Sequence, residues 1–424
     1  MGYNILFWPD INYEPGHWRP VLSMAQKVKN AYMGCAIRFL CTPECKSIVE
    51  SVKMPSGTRL FGSNEIFTIL DKFFPVGYST LVNEKPEEAR LRIDHCLKIA
   101  QGEFDGLLKT FKPHLLIAGY FVSMEALLIQ YRYNKIRNSS DPEMKIIIIT
   151  TFLRHPSEDP AITSIRFLAH HAQEQSSKLM RAAVGDTTKS SAFNGSFSSI
   201  QDFISPLETV TELITCPQEL DHDHFKHRKN TYYVESCILD TNPNYIPGKN
   251  LNLIYATAGS RVRDYIESAK AMFQTLQNII RISAASHRTL ELAVGYTLRE
   301  KFSSTSKITI KEWTDQADSL KRARSAVVHG GLATIKECIY FGIPPIVIPL
   351  GKDQMDNALR VVNKEVGTMI MLDTLTPVEL YNTILNAEKN SDINNNLSNM
   401  QRKFIAMERS QPSIWYIKRA LGIL

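Results

Sequence analysis

The sequence predicts an α/β protein with two domains, each built around a parallel sheet. A chain of 424 residues exceeds what one ordinary hydrophobic core accommodates, so a division into two is expected. Strand-like and helix-like segments alternate along the chain, which favours parallel strands joined by helices. Some strand-like runs are entirely apolar, such as Ile346-Val347-Ile348, as is typical of strands buried on both faces.

The first half of the chain is predicted to contain four strands and three helical stretches. We expect these strands at 3–8, 36–41, 114–118 and 145–151, and the helices at 20–30, 87–111 and 124–131. The second half is predicted to contain six strands and one long helix with an apolar face. These strands are expected at 251–258, 290–294, 307–310, 326–328, 345–349 and 369–372, and the helix at 264–284.

Turn-forming residues mark the expected boundary between the domains. The segment 240–250 is dense in Asn, Pro and Gly, so 241–250 is predicted to be a linker. This gives an N-terminal domain at 1–240 and a C-terminal domain at 251–410, both Rossmann-like. A final helix within 411–424 is expected to return to the N-terminal domain.

Composition and charge argue against several classes of protein. The net charge of +6 is mild and no dense block of Lys and Arg occurs, so no nucleic-acid partner is expected. The seven cysteines are scattered without a CxxC pair, which favours reduced thiols over disulfides or a zinc site. The N-terminus lacks the basic region of a secretory signal, and no apolar run approaches ~18 residues. We therefore expect a cytoplasmic monomer or homodimer without an integral membrane segment.

The stretch 313–354 contains a strand, a tight turn and a helix that together suit an anionic ligand. Ala326-Val327-Val328 reads as a buried strand, and His329-Gly330-Gly331 ends it with a turn that lets a ligand approach the backbone. Residues 332–341 have helical periodicity, so free backbone N–H groups are expected at their start. A helix N-terminus attracts phosphate, and parallel sheets bind ligands at the carboxyl ends of their strands.

This stretch closely resembles the nucleotide-sugar-binding signature of the family 1 (UDP-glycosyltransferase-like) glycosyltransferases. The signature HGG-x-x-T-x-x-E, then G-x-P-x-x-x-x-P, then DQ-x-x-NA, is present in order. Ala333 and the short spacing from Trp313 to His329 resemble the bacterial, soluble branch. The resemblance implies the GT-B fold, in which two Rossmann-like domains face a central cleft. The matching residues are His329, Gly330, Gly331, Thr334, Glu337, Gly342, Pro344, Pro349, Asp353, Gln354, Asn357 and Ala358.

The resemblance also assigns donor-binding roles to single residues of the C-terminal domain. Trp313 is expected to stack on the nucleobase, with a core tryptophan as the alternative. Gln316 is expected near the base and ribose. His329 is expected to contact the diphosphate, together with Gly331 and Thr334 at the helix start.

The remaining donor contacts are assigned in the same way. Glu337 is expected to accept hydrogen bonds from the ribose hydroxyls. Asp353 is expected to accept hydrogen bonds from the sugar hydroxyls, and Gln354 is expected to accept and donate them. Gly259-Ser260 resembles the family's Gly-Ser turn beside the diphosphate. No Asp-x-Asp pair lies beside this site, so neither a metal nor a cofactor is expected. A UDP- or dTDP-linked sugar is the expected co-substrate.

The N-terminal half carries the expected catalytic base. Gly16-His17 begins a segment that resembles the family's GH-x-x-P motif, completed by Pro20. In the family this histidine removes the proton of the acceptor hydroxyl, which an imidazole with an ordinary pKa near ~6.5 can do at neutral pH. Gly16 itself is assigned to donor binding.

One position departs from the family pattern. The family orients its histidine with an Asp at the end of a later strand, but Gly119 occupies that position here. Three interpretations stay open. Another carboxylate, Asp10, Glu14 or Glu125, replaces the missing one; the acceptor is as acidic as a phenol and needs less help; or the protein is weak or inactive as an enzyme.

Aromatic side chains of the N-terminal domain are candidates to line an apolar acceptor pocket, with core packing as the alternative. The small, polar segment 185–199 is predicted to be a surface loop, with a lid over the acceptor as the alternative. The aromatic candidates are Phe73, Phe74, Tyr78, Tyr120, Phe121 and Phe152.

The resemblance implies an inverting, metal-independent hexosyltransferase. It would move a hexose from a UDP- or dTDP-sugar to a hydroxyl of a small, largely apolar acceptor, as in natural-product glycosylation. Two alternatives stay open: a glycosyltransferase that acts on a lipid carrier, and a non-catalytic GT-B protein that binds a nucleotide sugar and supports a partner.

Overall fold

The computed structural model describes residues 2–11, 14–31, 34–52, 59, 61, 65–68, 86–153, 204–222, 229–239 and 252–424. The chain forms two compact units. The first comprises Met1–Thr215, Phe225–Cys237 and Gln411–Leu424, and the second comprises Cys216–His224 and Ile238–Ser410.

The two units do not divide the chain at a single point. The segment Cys216–His224 belongs to the second unit, although the predicted boundary lies at 240, and the C-terminal helix belongs to the first. That helix packs its Tyr416 ring on Tyr232, with 4.3 Å between ring centroids. The predicted linker 241–250 and the segment 185–199 lie outside the described residues.

The first unit is built on a sheet of seven parallel strands in the order β3-β2-β1-β4-β5-β6-β7. Its strands are β1 Asn4–Trp8, β2 Ala36–Cys41, β3 Ile66–Thr68, β4 Leu115–Gly119, β5 Lys145–Thr150, β6 Thr211–Ile214 and β7 Thr231–Tyr233. Its described α-helices are Pro15–Ala31, Pro43–Ser51, Pro86–Gln101, Asp105–Phe111, Ser123–Ile136, Pro206–Thr209 and Pro412–Leu421.

The second unit is built on a sheet of six parallel strands in the order β10-β9-β8-β11-β12-β13. Its strands are β8 Leu253–Thr257, β9 Thr289–Ala293, β10 Ile308–Lys311, β11 Ser325–Val328, β12 Pro345–Val347 and β13 Thr368–Met369. Its described α-helices are Ile266–Ile279, Gln316–Arg322, Leu332–Phe341, Gln354–Asn363, Pro377–Lys389 and Ser391–Ser410.

The predicted α/β class is confirmed in both units. Strands β4 and β8 are buried along their whole length, as expected for parallel strands covered by helices on both faces. In each sheet the chain order reverses beside the first strand, β1 or β8, and such a reversal opens a crevice at the carboxyl ends of the strands. The predicted site residues follow these ends.

The ten predicted strands are all present, but three further strands, β3, β6 and β7, were not predicted. The helical stretch predicted at 87–111 consists of two helices, because the chain turns at Gly102, where φ is +110°. The N–H groups of Gly102 and Glu103 both bond to the Lys98 carbonyl, at 3.1 and 3.0 Å, and this closes the first helix. The helix predicted at 20–30 begins at Pro15, so it includes His17.

Candidate active site

His17 lies in the first turn of the helix Pro15–Ala31, shortly after strand β1. Its backbone N–H donates to the Glu14 carbonyl at 2.9 Å. Its imidazole Nδ1 lies 2.6 Å from Oδ2 of Asp10, and the side chains are 27% and 1% exposed, respectively. A neutral imidazole that donates from Nδ1 carries its lone pair on Nε2, so the pair has the geometry of an oriented general base.

The close approach of two backbone segments explains why Gly119 carries no carboxylate. A Cβ atom at Gly119 would lie 1.8 Å from the carbonyl oxygen of Pro9, so no side chain fits at this strand end. Pro9 directly precedes Asp10 in the chain. The loop that excludes a side chain at Gly119 therefore supplies the carboxylate that contacts His17.

Glu125, another candidate partner, serves a different contact. Its carboxylate accepts from Arg92 Nε at 2.6 Å and from Arg92 Nη2 at 2.9 Å. Both side chains are buried, at 0% and 3% exposure. The structure thus places Asp10 against His17 and Glu125 against Arg92.

Three of the predicted acceptor-site aromatics form one cluster beside His17. The Phe121 ring centroid lies 5.3 Å from that of His17 and 5.3 Å from that of Phe152. Tyr120 packs edge-on against Phe121 and Phe152, at 5.4 and 5.2 Å. Tyr120 is buried, whereas Phe121 and Phe152 are half-buried, so an apolar molecule can contact the cluster. The candidates Phe73, Phe74 and Tyr78 lie outside the described residues.

Gly16 precedes His17 in the same helical turn and is half-buried. A Cβ atom there would meet nothing within 4 Å, so the backbone borders open space. Its assignment to donor binding stays a prediction.

In the second unit, His329 follows strand β11 and sits between two glycines. A Cβ atom at Gly259 would lie 2.4 Å from the imidazole, and one at Gly331 would lie 2.5 Å from Nε2. Burial lowers the pKa of His329 to about 4. The hydrogen bond to the Thr257 backbone opposes this shift without cancelling it, so the imidazole is neutral at physiological pH, with one N–H group and no positive charge.

The helix Leu332–Phe341 begins directly after Gly331, and Thr334 lies buried in its first turn. Backbone N–H groups at such a start carry partial positive charge. Ser260 is half-buried in the turn that follows β8 and contains Gly259. The turn after β8 and the helix start after β11 thus meet at His329, and their contact with a diphosphate stays a prediction.

A chain of hydrogen bonds connects the residues assigned to the base and ribose. Gln316 Nε2 donates to Thr334 Oγ1 at 3.3 Å and to the carboxylate of Glu337. The hydroxyl of Tyr255, on strand β8, lies 3.2 Å from Gln316 Oε1 and 3.2 Å from Thr314 Oγ1. Tyr255 was not predicted, although a tyrosine within an apolar strand is a signal that its hydroxyl has a buried partner.

Trp313 is 55% exposed, so the alternative interpretation as a core tryptophan is wrong. An exposed indole face beside Gln316 can stack on a planar heterocycle. The nucleobase role of Trp313 itself stays a prediction.

The loop assigned to the sugar is held by hydrogen bonds within it and by one to Tyr265. Gln354 Oε1 accepts from the backbone N–H groups of Leu350, at 2.8 Å, and Gly351, at 3.1 Å, and its Nε2 donates to the Tyr265 hydroxyl at 3.3 Å. Asp353 is exposed and accepts from Asn357 Nδ2 at 2.9 Å. Gln354 therefore orders this loop, and the contact of both side chains with a sugar stays a prediction.

A charged cluster joins the same loop to the turn after β8. Asp264 accepts from Lys352 Nζ at 2.7 Å and from Arg261 Nε at 2.7 Å. Burial works against the charge on Asp264, but the hydrogen bonds from Lys352 and Arg261 lower its pKa overall. Lys352 has φ of +55°, an uncommon backbone conformation for a residue other than glycine. The sequence did not point to this pairing, because its partners are 88 positions apart.

No group of three or more His, Cys, Asp and Glu side chains in the described ranges could hold a metal ion. No helix in the part of the chain that the structure describes is long and apolar enough to cross a membrane.

Comparison with known proteins finds similarity in the C-terminal part of the chain. Residues 259–411 match the glycosyltransferase family 28 C-terminal domain. A UDP-glucuronosyltransferase 3A1 of Xenopus laevis is 37% identical over 107 residues, which are 25% of this chain and 20% of that protein. A 2-hydroxyacylsphingosine 1-beta-galactosyltransferase of Rattus norvegicus is 35% identical over 105 residues, which are 24% of this chain and 18% of that protein. The match thus spans only about a fifth of these relatives.

Solved structures match over nearly the whole chain. The glycotransferase of kitacinnamycin superimposes with a TM-score of 0.67 at 17% identity and covers 99% of both chains. The calicheamicin glycosyltransferase CalG4 superimposes with a TM-score of 0.68 at 15% identity and covers 100% of this chain and 99% of its own. At this identity the likeness concerns the fold. The resemblance to GT-B glycosyltransferases that the sequence indicates is confirmed by these comparisons.

Proposed function

We propose that this chain, a GT-B glycosyltransferase by its fold and its C-terminal domain, transfers a hexose from a UDP- or dTDP-sugar to a hydroxyl of a small, largely apolar acceptor. The observation that carries the proposal is the contact between His17 and Asp10 at 2.6 Å. A non-catalytic binding protein has no need of an imidazole oriented by a buried carboxylate. The pair therefore favours an enzyme, and Asp10 supplies the carboxylate that Gly119 lacks.

The proposed reaction is a single in-line displacement. Nε2 of His17 takes the proton of the acceptor hydroxyl while its oxygen forms a bond to the anomeric carbon of the sugar. The bond from that carbon to the diphosphate oxygen breaks on the opposite side, and the nucleoside diphosphate leaves with the electron pair. The configuration at the anomeric carbon is inverted. Asp10 stabilises the imidazolium formed at His17 and keeps its proton-accepting nitrogen turned to the acceptor.

The departing diphosphate needs positive potential, which neutral His329 does not supply. We assign this role to the start of the helix Leu332–Phe341 and to the cations Arg261 and Lys352, which Asp264 holds on two adjoining loops. An N–H group of His329 adds a hydrogen bond without charge. Dipoles and fixed cations act without a bound metal, so we propose a metal-independent transfer.

The acceptor side is proposed to be apolar because Phe121 and Phe152 are half-buried beside His17. Names of similar proteins agree with an apolar acceptor. One relative is a 2-hydroxyacylsphingosine galactosyltransferase, and one solved structure is a spinosyn rhamnosyltransferase complexed with spinosyn aglycone. We propose a cytoplasmic enzyme, monomeric or dimeric, with no partner besides its donor and acceptor.

A screen of donors against acceptors tests the function. UDP- and dTDP-hexoses are incubated with phenols, alcohols and macrolide-like aglycones, and products are detected by mass spectrometry. We expect one hexose added per product in wild-type protein and in His287→Ala, which changes an exposed histidine outside the site. His17→Ala is expected to lose about 10²–10⁴-fold in kcat on alcohols. Binding of a nucleotide sugar without transfer to any acceptor would support the non-catalytic alternative instead.

The lipid-carrier alternative has its own test. Flotation with vesicles that contain anionic lipid separates membrane-bound from unbound protein. We expect the protein to stay at the bottom of the gradient. Comigration with vesicles, together with transfer to a polyprenyl phosphate and not to small aglycones, would favour the lipid carrier.

A further inference from the structure

We propose that Phe121 is a positioning residue for the imidazole of His17, and that the buried Arg92–Glu125 pair fixes Phe121 in that place. This assignment rests on the proposed function, because it concerns the base of the transfer reaction. It adds a second role to the one proposed above for Phe121, which is to line the acceptor side of the site.

The hydrogen bond to Asp10 restrains the imidazole at Nδ1. The Phe121 ring adds a restraint on the plane of the imidazole, because its centroid lies 5.3 Å from that of His17 and the two planes differ by 32°. Such ring separations are those of interacting aromatic pairs. Nε2 is thus held in one direction by two contacts of different kinds.

Phe121 is itself held on several sides. Its ring is stacked on Phe152 at 5.3 Å, with 17° between the planes, and Tyr120 packs edge-on at 5.4 Å. Its backbone belongs to the short 3-10 turn Tyr120–Val122, which follows β4. Arg92 Nη2 donates to the carbonyl of Phe121 at 2.7 Å, so the turn is tied to the helix that carries Arg92.

The ion pair with Glu125 explains why the charged side chain of Arg92, which bonds to the Phe121 carbonyl, is found in the core. Arg92 and Glu125 form two hydrogen bonds with each other and are 3% and 0% exposed. Removing two charges from water costs about as much as their attraction returns, so a buried pair is a poor source of stability. Its contribution here is geometric, since the guanidinium fork spans Glu125 and the Phe121 carbonyl at once.

This assignment also gives the strand end after β4 a function. The resemblance implies that related glycosyltransferases carry a carboxylate at the position of Gly119. Here the same strand end serves the imidazole through a ring contact two residues later, at Phe121, while the carboxylate comes from Asp10. The base is thus restrained by the ends of two neighbouring strands, β1 and β4, which pair in register.

Phe121→Leu, with Phe152→Leu as its matched control, tests the assignment. Both changes remove a half-buried ring from the same cluster, but only Phe121 contacts His17. The first readout is the proton NMR signal of the His17 Hε1 atom in histidine-labelled protein, identified by its loss in His17→Gln. We expect a ring-current shift in wild-type protein and in Phe152→Leu, and its loss in Phe121→Leu.

The second readout is how far each substitution changes kcat and how far it changes the KM for the acceptor. We expect Phe121→Leu to lower kcat about tenfold, a larger change than that in acceptor KM, because a base held in the wrong direction slows the chemical step, whereas leucine keeps an apolar surface toward the acceptor. Phe152→Leu is expected to raise acceptor KM, since its ring borders the acceptor without contacting the base. Phe121→Tyr retains the ring and should restore both kcat and the Hε1 shift, which also guards against a leucine variant that fails to fold.

An unshifted His17 signal in wild-type protein would overturn the assignment, and so would a Phe121→Leu variant that changes acceptor KM alone. The two readouts also separate this inference from the proposed function. If wild-type protein transfers no sugar, the proposed function fails, while the Hε1 shift still decides whether Phe121 sets the imidazole.

Discussion

The two units arrange their candidate site residues in opposite ways. In the first unit the proposed chemistry depends on one imidazole, that of His17, which contacts the Asp10 carboxylate and the Phe121 ring. In the second unit the polar groups are distributed over four loop and helix starts, and many are hydrogen-bonded to each other. A concentrated site is expected to fail when one atom changes, whereas a distributed site is expected to weaken by degrees.

Asp10→Asn should produce the largest of the effects predicted below. Asparagine fills the same volume but can present an N–H group to Nδ1, which favours the wrong tautomer of His17 and leaves the imidazolium without a counter-charge. We expect kcat to fall about 10²-fold with donor affinity unchanged, measured by steady-state kinetics and calorimetry.

The control for Asp10→Asn is Asp94→Asn, which changes an exposed carboxylate of the same unit. It should keep wild-type kcat. An Asp10→Asn enzyme with more than about half of wild-type kcat on an alcohol would mean that the concentrated site does not depend on this carboxylate.

His329→Ala should have the next largest effect, on donor affinity. The change removes one hydrogen bond to a charged ligand, worth about 1.5–3 kcal/mol, or roughly 10–100-fold in Kd. Calorimetry with UDP and dTDP measures it, with His287→Ala as the control. Unchanged affinity for both nucleotides would remove His329 from the diphosphate site and would leave the second unit without its central residue.

Lys352→Met should have a smaller effect, because it removes only one of the cations that pair with Asp264. The pair is partly exposed, and such pairs are worth about 0.2–1 kcal/mol, so Kd for the nucleoside diphosphate should rise by about 1.5–5-fold. The loss should shrink in 0.5 M salt, where the Debye length is about 4–5 Å. Lys403→Met, which breaks another exposed pair of the same unit, should leave affinity unchanged.

The affinity for the nucleotide sugar should be nearly independent of pH from about 5.5 to 8. Because the pKa of His329 is lowered to about 4, the imidazole gains a proton only as the pH falls toward that value. Titration calorimetry with the intact nucleotide sugar avoids the terminal phosphate of UDP, which itself ionises near neutral pH. A midpoint near ~6.5 in donor affinity would show a histidine with an ordinary pKa at the diphosphate.

The sequence predicted the second unit better than the first, for a physical reason. The donor signature fixes many residues within one short stretch, and strands β11 and β12 with the helix between them follow from local periodicity. The partner of His17 depends on how closely Pro9 approaches Gly119, two residues that are 110 positions apart. No local pattern encodes that distance, so Asp10, Glu14 and Glu125 stayed equal candidates.

The strands that were missed have a related explanation. Strand β6 spans Thr211–Ile214 and includes a buried Glu212, and β7 has three residues. Such short runs carry too little alternation to stand out, and only their place in the sheet makes them strands. The tie between Lys352 and Asp264 was missed in the same way, since it joins loops at two separate strand ends.

The contact between Pro9 and Gly119 also constrains how this protein can evolve. A Gly119→Asp substitution, which matches the family pattern, would push against the Pro9 carbonyl and displace the loop that carries Asp10. A carboxylate at position 119 and the observed position of Asp10 therefore exclude each other. A protein that acquired this single change would lose the contact between Asp10 and His17. Residues 9, 10 and 119 form an epistatic unit, and a relative that carries Asp at the position of Gly119 is expected to differ in the first loop as well.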